Sequence, residues 1–225
     1  PIAGEKIKEL LSDSAISCTS YIFEDAQLEP DERAVGSAIM HYDTECDTIV
    51  ALGSGVINDI GKIVANVSGA RYAIVATAPS MDGYASVVAP LLVGKTKIVY
   101  QCSIARHIII DTAICKDAPY ELLTAGVGDM IGKYIAILDW ELSAMHTGEY
   151  YCEKVADMVL DATAKCIESA TKLKERQIDT IKNTIDGLIL SGLGIAYTGS
   201  SRPASGTEHM VGQTWEIMDI EKGKV

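Results

Sequence analysis

The feature that most restricts the fold of this 225-residue chain is a change of hydrophobic period part-way along it. Up to about Asp111, β-rich runs at Ser20 to Phe23, Thr48 to Leu52, Tyr72 to Ala76 and His107 to Ile110 alternate with helical patterns. These patterns lie near Glu5 to Ser12, Pro30 to Met40 and Val56 to Ser68. Strands separated by helices of this length demand parallel βαβ crossovers, so residues 1–111 are expected to form an α/β domain with a doubly wound parallel sheet. Such a sheet takes its ligand at the carboxyl ends of its strands. Val87 to Val93 and Thr96 to Cys102, joined by Gly94 and Lys95, read as a hairpin laid across the edge of that sheet. Past Pro119 the strand signal ends, and helical periodicity runs through Tyr120 to Ser143, Tyr150 to Arg176 and Thr180 to Ala196. Residues 112–225 are therefore expected to be an all-α domain.

Charge and cysteine usage narrow the partners. A formal charge of −12 repels polyphosphate over most of the surface, and no basic stripe offsets it, which argues against nucleic acid. A small anionic substrate is still compatible, because a helix N-terminus or a bound cation captures a phosphate locally. The six cysteines form no CxxC pair and nothing at the N-terminus reads as a signal peptide, so reduced thiols in cytoplasm fit best. The longest apolar stretch, Gly187 to Tyr197, is broken by Ser and Gly and too short to span a bilayer; it reads as a buried helix. The chain opens at Pro1 almost directly in a helical pattern and stops at Val225 just past another, which reads as a piece of something longer.

Four segments carry candidate chemistry. In ALGSGVINDIGK, Ala51 to Lys62, a strand turns into a helix at Gly53 and Gly55, where backbone N–H groups approach a pyrophosphate. The standard dinucleotide fingerprint fails at Asn58, and the alternative is a plain tight turn with Asp59 in the first helical turn complementing the dipole. The loop TAPSMDGYAS, Thr77 to Ser86, sets hydroxyls and the Asp82 carboxylate at the ligand end of the sheet, although any turn needs similar residues. In ELLTAGVGDMIGKYIA, Glu121 to Ala136, the helical glycines Gly126, Gly128 and Gly132 each cost about 1 kcal/mol, which signals close approach by another element. Asp129 among them reads either as a metal ligand or as the i,i+4 partner of Lys133 on a solvated face. In SSRPASGTEHMVGQTWE, Ser200 to Glu216, Ser205 and Glu208 have capping-box spacing, a helix starts near Gly206, and His209 lies in its first turn.

In this order and spacing the four segments resemble the glycerol-1-phosphate dehydrogenase family, which belongs with glycerol dehydrogenase, iron-type alcohol dehydrogenases and dehydroquinate synthase. The likeness runs from about Glu24 to Glu216. It implies a Rossmann-like N-terminal domain followed by a helical one, in the dehydroquinate synthase-like arrangement, with NAD or NADP as cofactor. By resemblance, Gly53 and Gly55, Val56, Ile57, Asn58 and Asp59 hold the dinucleotide, with Thr77, Ala78, Pro79, Ser80 and Ser86 against it. Asp82, Asp129 and Gln213 face the substrate. Asp129 and His209 resemble two of three ligands to a divalent metal, usually zinc and in some relatives nickel; the third is a His expected at or beyond Val225. Many members carry a His where this chain has Gln213, which still offers hydrogen bonds to a substrate hydroxyl.

The resemblance implies interconversion of dihydroxyacetone phosphate and sn-glycerol 1-phosphate, with the metal as Lewis acid. A polyol dehydrogenase, a dehydroquinate synthase-like lyase and a non-catalytic nucleotide-binding relative are the alternatives. No feature singles out a general base, the choice between NAD and NADP, or a homo-oligomeric state. The strand that bears on cofactor choice is expected before Pro1.

Overall fold

The computed structural model describes residues 2–25, 27–94 and 96–221. The chain divides into two compact units. One runs to Ala76 and takes in Val88–Ile109; the other comprises Thr77–Val87 and the chain from Ile110 onward. The loop that sequence reading assigns to the α/β domain, Thr77–Val87, thus folds with the helical unit, and the two glycine contacts described below are why.

The α/β unit runs α1 (Ile2–Asp13), α2 (Glu32–Met40), β1 (Thr48–Gly53), α3 (Gly55–Ser68), β2 (Arg71–Ala76), β3 (Val88–Val93), β4 (Thr96–Gln101) and β5 (His107–Ile110). β1 and β2 pair in parallel from Thr48 opposite Arg71 to Gly53 opposite Ala76, and the sheet order is β1-β2-β5. Helix α3 makes the crossover. Its Ile60, Ile63 and Val64 recur at i, i+3 and i+4 and are buried with Ala34, Val35, Ala89 and Leu91. Gly69, at φ +72°, ends α3 in the left-handed conformation that glycine adopts without Cβ strain.

Two expectations are corrected here. Ser20 to Phe23 is not a strand: Tyr21 instead donates to or accepts from Ser37 Oγ at 2.6 Å and stacks on His41, so side chains and not a backbone ladder anchor this stretch. The hairpin does form, from Val88 opposite Gln101 to Val93 opposite Thr96, but as a separate two-stranded sheet. Its apolar face, Ala89 and Leu91, packs with α3, which leaves no reason to extend the parallel sheet. Gly94 makes the turn at φ +62°; Lys95 lies outside the described residues.

The helical unit contains a 3-10 turn (Asp82–Ala85), α4 (Thr112–Cys115), α5 (Tyr120–Thr147), α6 (Glu153–Ala170), a second 3-10 turn (Leu173–Glu175), α7 (Ile178–Thr198) and α8 (Thr207–Glu221). Leu123, Met130, Cys166, Ile181 and Leu188 share its core with Ala78, and Trp140 anchors a second cluster with Ala156 and Val159. The expected helix to Arg176 stops at Ala170. Arg176 takes a left-handed φ of +52° and donates to the carbonyls of Lys116 and Ala118, fixing the α6–α7 turn. Helix α5 also leaves Ile131, Tyr134, Ile135, Leu138 and Leu142 exposed. All six cysteines are free thiols, and among the described residues no helix is long and apolar enough to cross a membrane.

Candidate active site

In the α/β unit the turn from β1 into α3 brings backbone amides together. A Cβ on Gly53 would stand 2.7 Å from Cβ and Cγ1 of Ile57, so the strand enters the helix too closely for any side chain. The first bond of the helix runs from Asn58 N to Ser54 O at 3.0 Å, which leaves the N–H groups of Gly55, Val56 and Ile57 without an acceptor inside the helix. That is the local arrangement that receives a phosphate.

Asn58 and Asp59 have a different setting. Both are buried, and Tyr72 Oη donates to Asn58 O at 3.1 Å, tying α3 to β2, while Asn58 Nδ2 donates to Asp59 Oδ1 at 3.0 Å. Because α3 begins at Gly55, Asp59 lies in the second turn, past the dipole's reach in the first. Gly61 is separated from Gly55 by five residues, a spacing that does not fit a phosphate-binding P-loop. A Cβ there would lie 2.9 Å from Tyr72 Cε2, so it is the close helix-to-strand contact that a third glycine supplies in dinucleotide-binding turns.

Burial pushes the Asp59 carboxyl up to about 7; the Lys62 ammonium and the Asn58 amide offset this only in part. A carboxyl raised in the folded state binds its proton more tightly than in the unfolded chain. Its ionisation therefore removes stability as pH rises from about 4 to about 7, a term on the order of 4 kcal/mol. Urea unfolding of Asp59→Asn is expected to lack this decline; equal slopes in the two proteins between those pH values would refute it.

In the helical unit, the loop Thr77–Val87 lies against two helices that make room for its backbone. A Cβ on Gly126 of α5 would fall 1.8 Å from Pro79 O, and one on Gly192 of α7 would fall 2.4 Å from Asp82 O. Ala78 and Pro79 are buried, and Ala78 belongs to the core. Tyr84 Oη donates to Ala78 O at 2.8 Å and Ser86 Oγ to Gly83 O at 3.1 Å, so both hydroxyls brace the loop from within. Thr77 and Ser80 are half-buried, and Ser80 Oγ lies 3.4 Å from Tyr84 Oη.

Asp82, at the start of the 3-10 turn, is thereby held against α5 and α7. Its backbone N donates to Asp129 Oδ2 at 2.9 Å and its Oδ2 accepts from Ser191 Oγ at 2.8 Å. The Lys133 ammonium lies 2.7 Å from Asp82 Oδ2 and 2.6 Å from Asp129 Oδ1. The i,i+4 pair of Asp129 and Lys133 thus forms, but not on a solvated face: the Lys133 side chain has no exposure at all. Burial by itself raises the Asp82 carboxyl, but the Lys133 charge and the hydrogen bonds from Lys133 and Ser191 bring it below the usual carboxylate range. Asp129 goes the other way: burial and the neighbouring Asp82 charge raise it, against partial compensation from Lys133. Two carboxylates around one ammonium titrate as a unit.

His209 enters from the first turn of α8. Its Nδ1 is 2.7 Å from Glu208 Oε1, a contact that suits an Nδ1–H donor and turns Nε2 toward Asp129 Oδ1, 4.0 Å away. A carboxylate behind an imidazole is how metal-binding histidines are oriented. Glu208 does not close the expected capping box. Its Oε1 accepts from Gly206 N at 2.8 Å, while Thr207 N and Oγ1 both donate to Asp139 Oδ2 at 2.6 Å, so Asp139 of α5 caps the helix. Gln213, one turn further along, is exposed.

Asp129 Oδ1 and His209 Nε2, a carboxylate oxygen and an imidazole nitrogen 4.0 Å apart, are donor types that a divalent ion takes, and they would draw closer together to hold neighbouring positions around one. They supply two donors; among the described residues no group of three or more His, Cys, Asp or Glu is placed to hold a metal. The third ligand expected at or beyond Val225 lies outside the described residues.

The helical unit thus brings two half-buried aspartates and an oriented histidine together, and the other unit carries a glycine turn after a parallel strand. The chain belongs to the iron-containing alcohol dehydrogenase family, whose model matches residues 1–119. It is 31% identical over 225 residues to the glycerol-1-phosphate dehydrogenase [NAD(P)+] of Halalkalibacterium halodurans, covering 99% of this chain and 56% of that protein. It is 32% identical over 209 residues to the enzyme of the same name from Methanosarcina mazei, covering 93% and 58%. The chain therefore spans little more than half the length of these relatives. Its fold is similar to that of glycerol dehydrogenase from Schizosaccharomyces pombe, with 20% identity, a TM-score of 0.72 and coverage of 86% of this chain and 51% of that one. An iron-containing alcohol dehydrogenase from Thermotoga maritima is similar at a TM-score of 0.70 and 19% identity, covering 87% and 57%. A Rossmann-like first half with a helical second half is the shared architecture.

Proposed function

We propose that the complete protein is a cytoplasmic, metal-dependent oxidoreductase that interconverts dihydroxyacetone phosphate and sn-glycerol 1-phosphate with NAD(P)(H). In the reductive direction a hydride and a proton add across the ketone, giving the secondary alcohol and oxidised cofactor. The observation that carries this reading is the placement of Asp82, Asp129 and His209 in one cluster, in a chain whose relatives bear that activity in their names.

The N–H groups of Gly55, Val56 and Ile57 receive a cofactor phosphate. Asp82, ionised and held by Ser191 and Lys133, accepts hydrogen bonds from the polyol hydroxyls and orients them. Asp129 and His209 hold the divalent ion together with a donor from outside the described residues. When bound, the nicotinamide supplies the hydride and the ion, zinc or nickel, polarises the ketone oxygen. Gln213 offers an amide to the substrate.

Substrate choice tests the reading. The complete protein is expected to prefer dihydroxyacetone phosphate over dihydroxyacetone in kcat/KM by about 10²-fold or more, because polar groups that bind a substrate phosphate would be left unpaired by a substrate that lacks one. Equal values would reassign the protein as a general polyol dehydrogenase.

A further inference from the structure

Lys133 is a buried cation that the reaction above does not consume. Its side chain is fully buried, and Nζ is within 2.7 Å of Asp82 Oδ2, 2.6 Å of Asp129 Oδ1 and 2.8 Å of Ala204 O. An ammonium has three N–H donors, and three oxygens surround this one. They come from the loop Thr77–Val87, from α5 and from the segment just ahead of α8. The first two pieces carry Asp82 and Asp129, and the third leads into the helix that bears His209. Without a cation between them the two carboxylates repel at close range in a medium that screens poorly.

We propose that Lys133 is the positioning residue of this site, its ammonium fixing the substrate-binding Asp82 and the metal-binding Asp129 in a single mutual geometry. This rests on the functional reading above. The ammonium compensates one of the two carboxylate charges and leaves the net negative charge that attracts a divalent ion. It also determines which Asp82 oxygen faces substrate, since Oδ2 is occupied by Lys133 and Ser191 and Oδ1 is the one left for a polyol hydroxyl. The carbonyl of Ala204 ties the same ammonium to the approach to α8, so the position of His209 is coupled to it through a short stretch of chain.

The test compares K133M, an uncharged side chain of similar length, with the parent in the complete protein, by cobalt(II) titration of the visible spectrum and by steady-state kinetics. The proposal predicts about 10- to 100-fold weaker cobalt binding, the range for losing a residue that orients a ligand. It also predicts a KM for the ketone raised about 10-fold and a KM for the cofactor changed by less than about twofold. A purely structural lysine would lower the melting temperature but leave the cobalt affinity and both KM values of the folded fraction within about twofold; that result overturns the proposal. Should K133M fail to fold, lysine ammonium NMR of the parent decides: a slowly exchanging signal that shifts on adding zinc and again on adding dihydroxyacetone phosphate supports it, and no shift with either refutes it. If the parent binds cobalt but does not reduce the ketone, the functional reading falls while the cobalt arm still judges Lys133.

Discussion

Asp129→Ala in the complete protein is expected to abolish turnover while leaving a folded molecule. On the proposed function Asp129 is one of two converging metal donors, and it also receives the Asp82 backbone N–H, so its loss would remove an ion ligand and loosen the substrate aspartate together. The expected fall in kcat/KM is about 10³-fold or greater, the scale seen when preorganised electrostatic stabilisation of a developing charge is lost. Breaking a buried ion pair by deleting one partner costs about 3–5 kcal/mol, and because Lys133 keeps Asp82 and the Ala204 carbonyl, the cost here is expected at the low end of that range. Metal analysis of the purified variant checks the cause. Normal turnover by Asp129→Ala with no bound metal would remove Asp129 from the mechanism.

The second large effect is expected at Gly126, through packing alone. Its missing side chain is what admits the Pro79 carbonyl, which a Cβ would meet at 1.8 Å. Overpacking of a tight contact typically costs about 1–3 kcal/mol, and a clash with rigid backbone on both sides sits at or above the top of that range. The roughly 1 kcal/mol gained from replacing a helical glycine by alanine does not offset it. Gly128, two residues on, has nothing within 4 Å of where a Cβ would stand, so Gly128→Ala is expected to stabilise α5 by somewhat under about 1 kcal/mol. Urea unfolding of the pair should therefore give midpoints on opposite sides of the parent. A Gly126→Ala protein as stable as Gly128→Ala would show that the loop Thr77–Val87 does not lie where the fold places it.

Much of this is legible in sequence because it rests on local periodicity. The βαβ crossover through α3 and the run of helices after Pro119 follow from apolar spacing alone, and glycines inside α5 announce a close neighbour. What they cannot announce is which neighbour. Gly126 and Gly132 have one, Pro79 and Glu208, while Gly128 has none, and nothing in the local sequence separates them. Ser20 to Phe23 has strand composition without a strand because pairing depends on a partner distant in the chain. The pairing of Asp129 with Lys133 is readable from i,i+4 spacing, but not its burial, since the covering groups Asp82 and Ala204 come from 47 to 71 residues away. Glu208 escapes notice as the support of His209 because adjacent residues on a helix do not ordinarily face each other; at the first turn of α8 they do. Apolar residues on both faces of α5 likewise blur its buried side.

The most direct test of the central claim is the oxidation of NADH and NADPH by the complete protein with dihydroxyacetone phosphate, before and after removal of divalent metal by a chelator. The account predicts cofactor oxidation that stops on chelation and returns with zinc or nickel. Undiminished turnover after complete metal removal, or cofactor binding with no net oxidation under any metal, would contradict it.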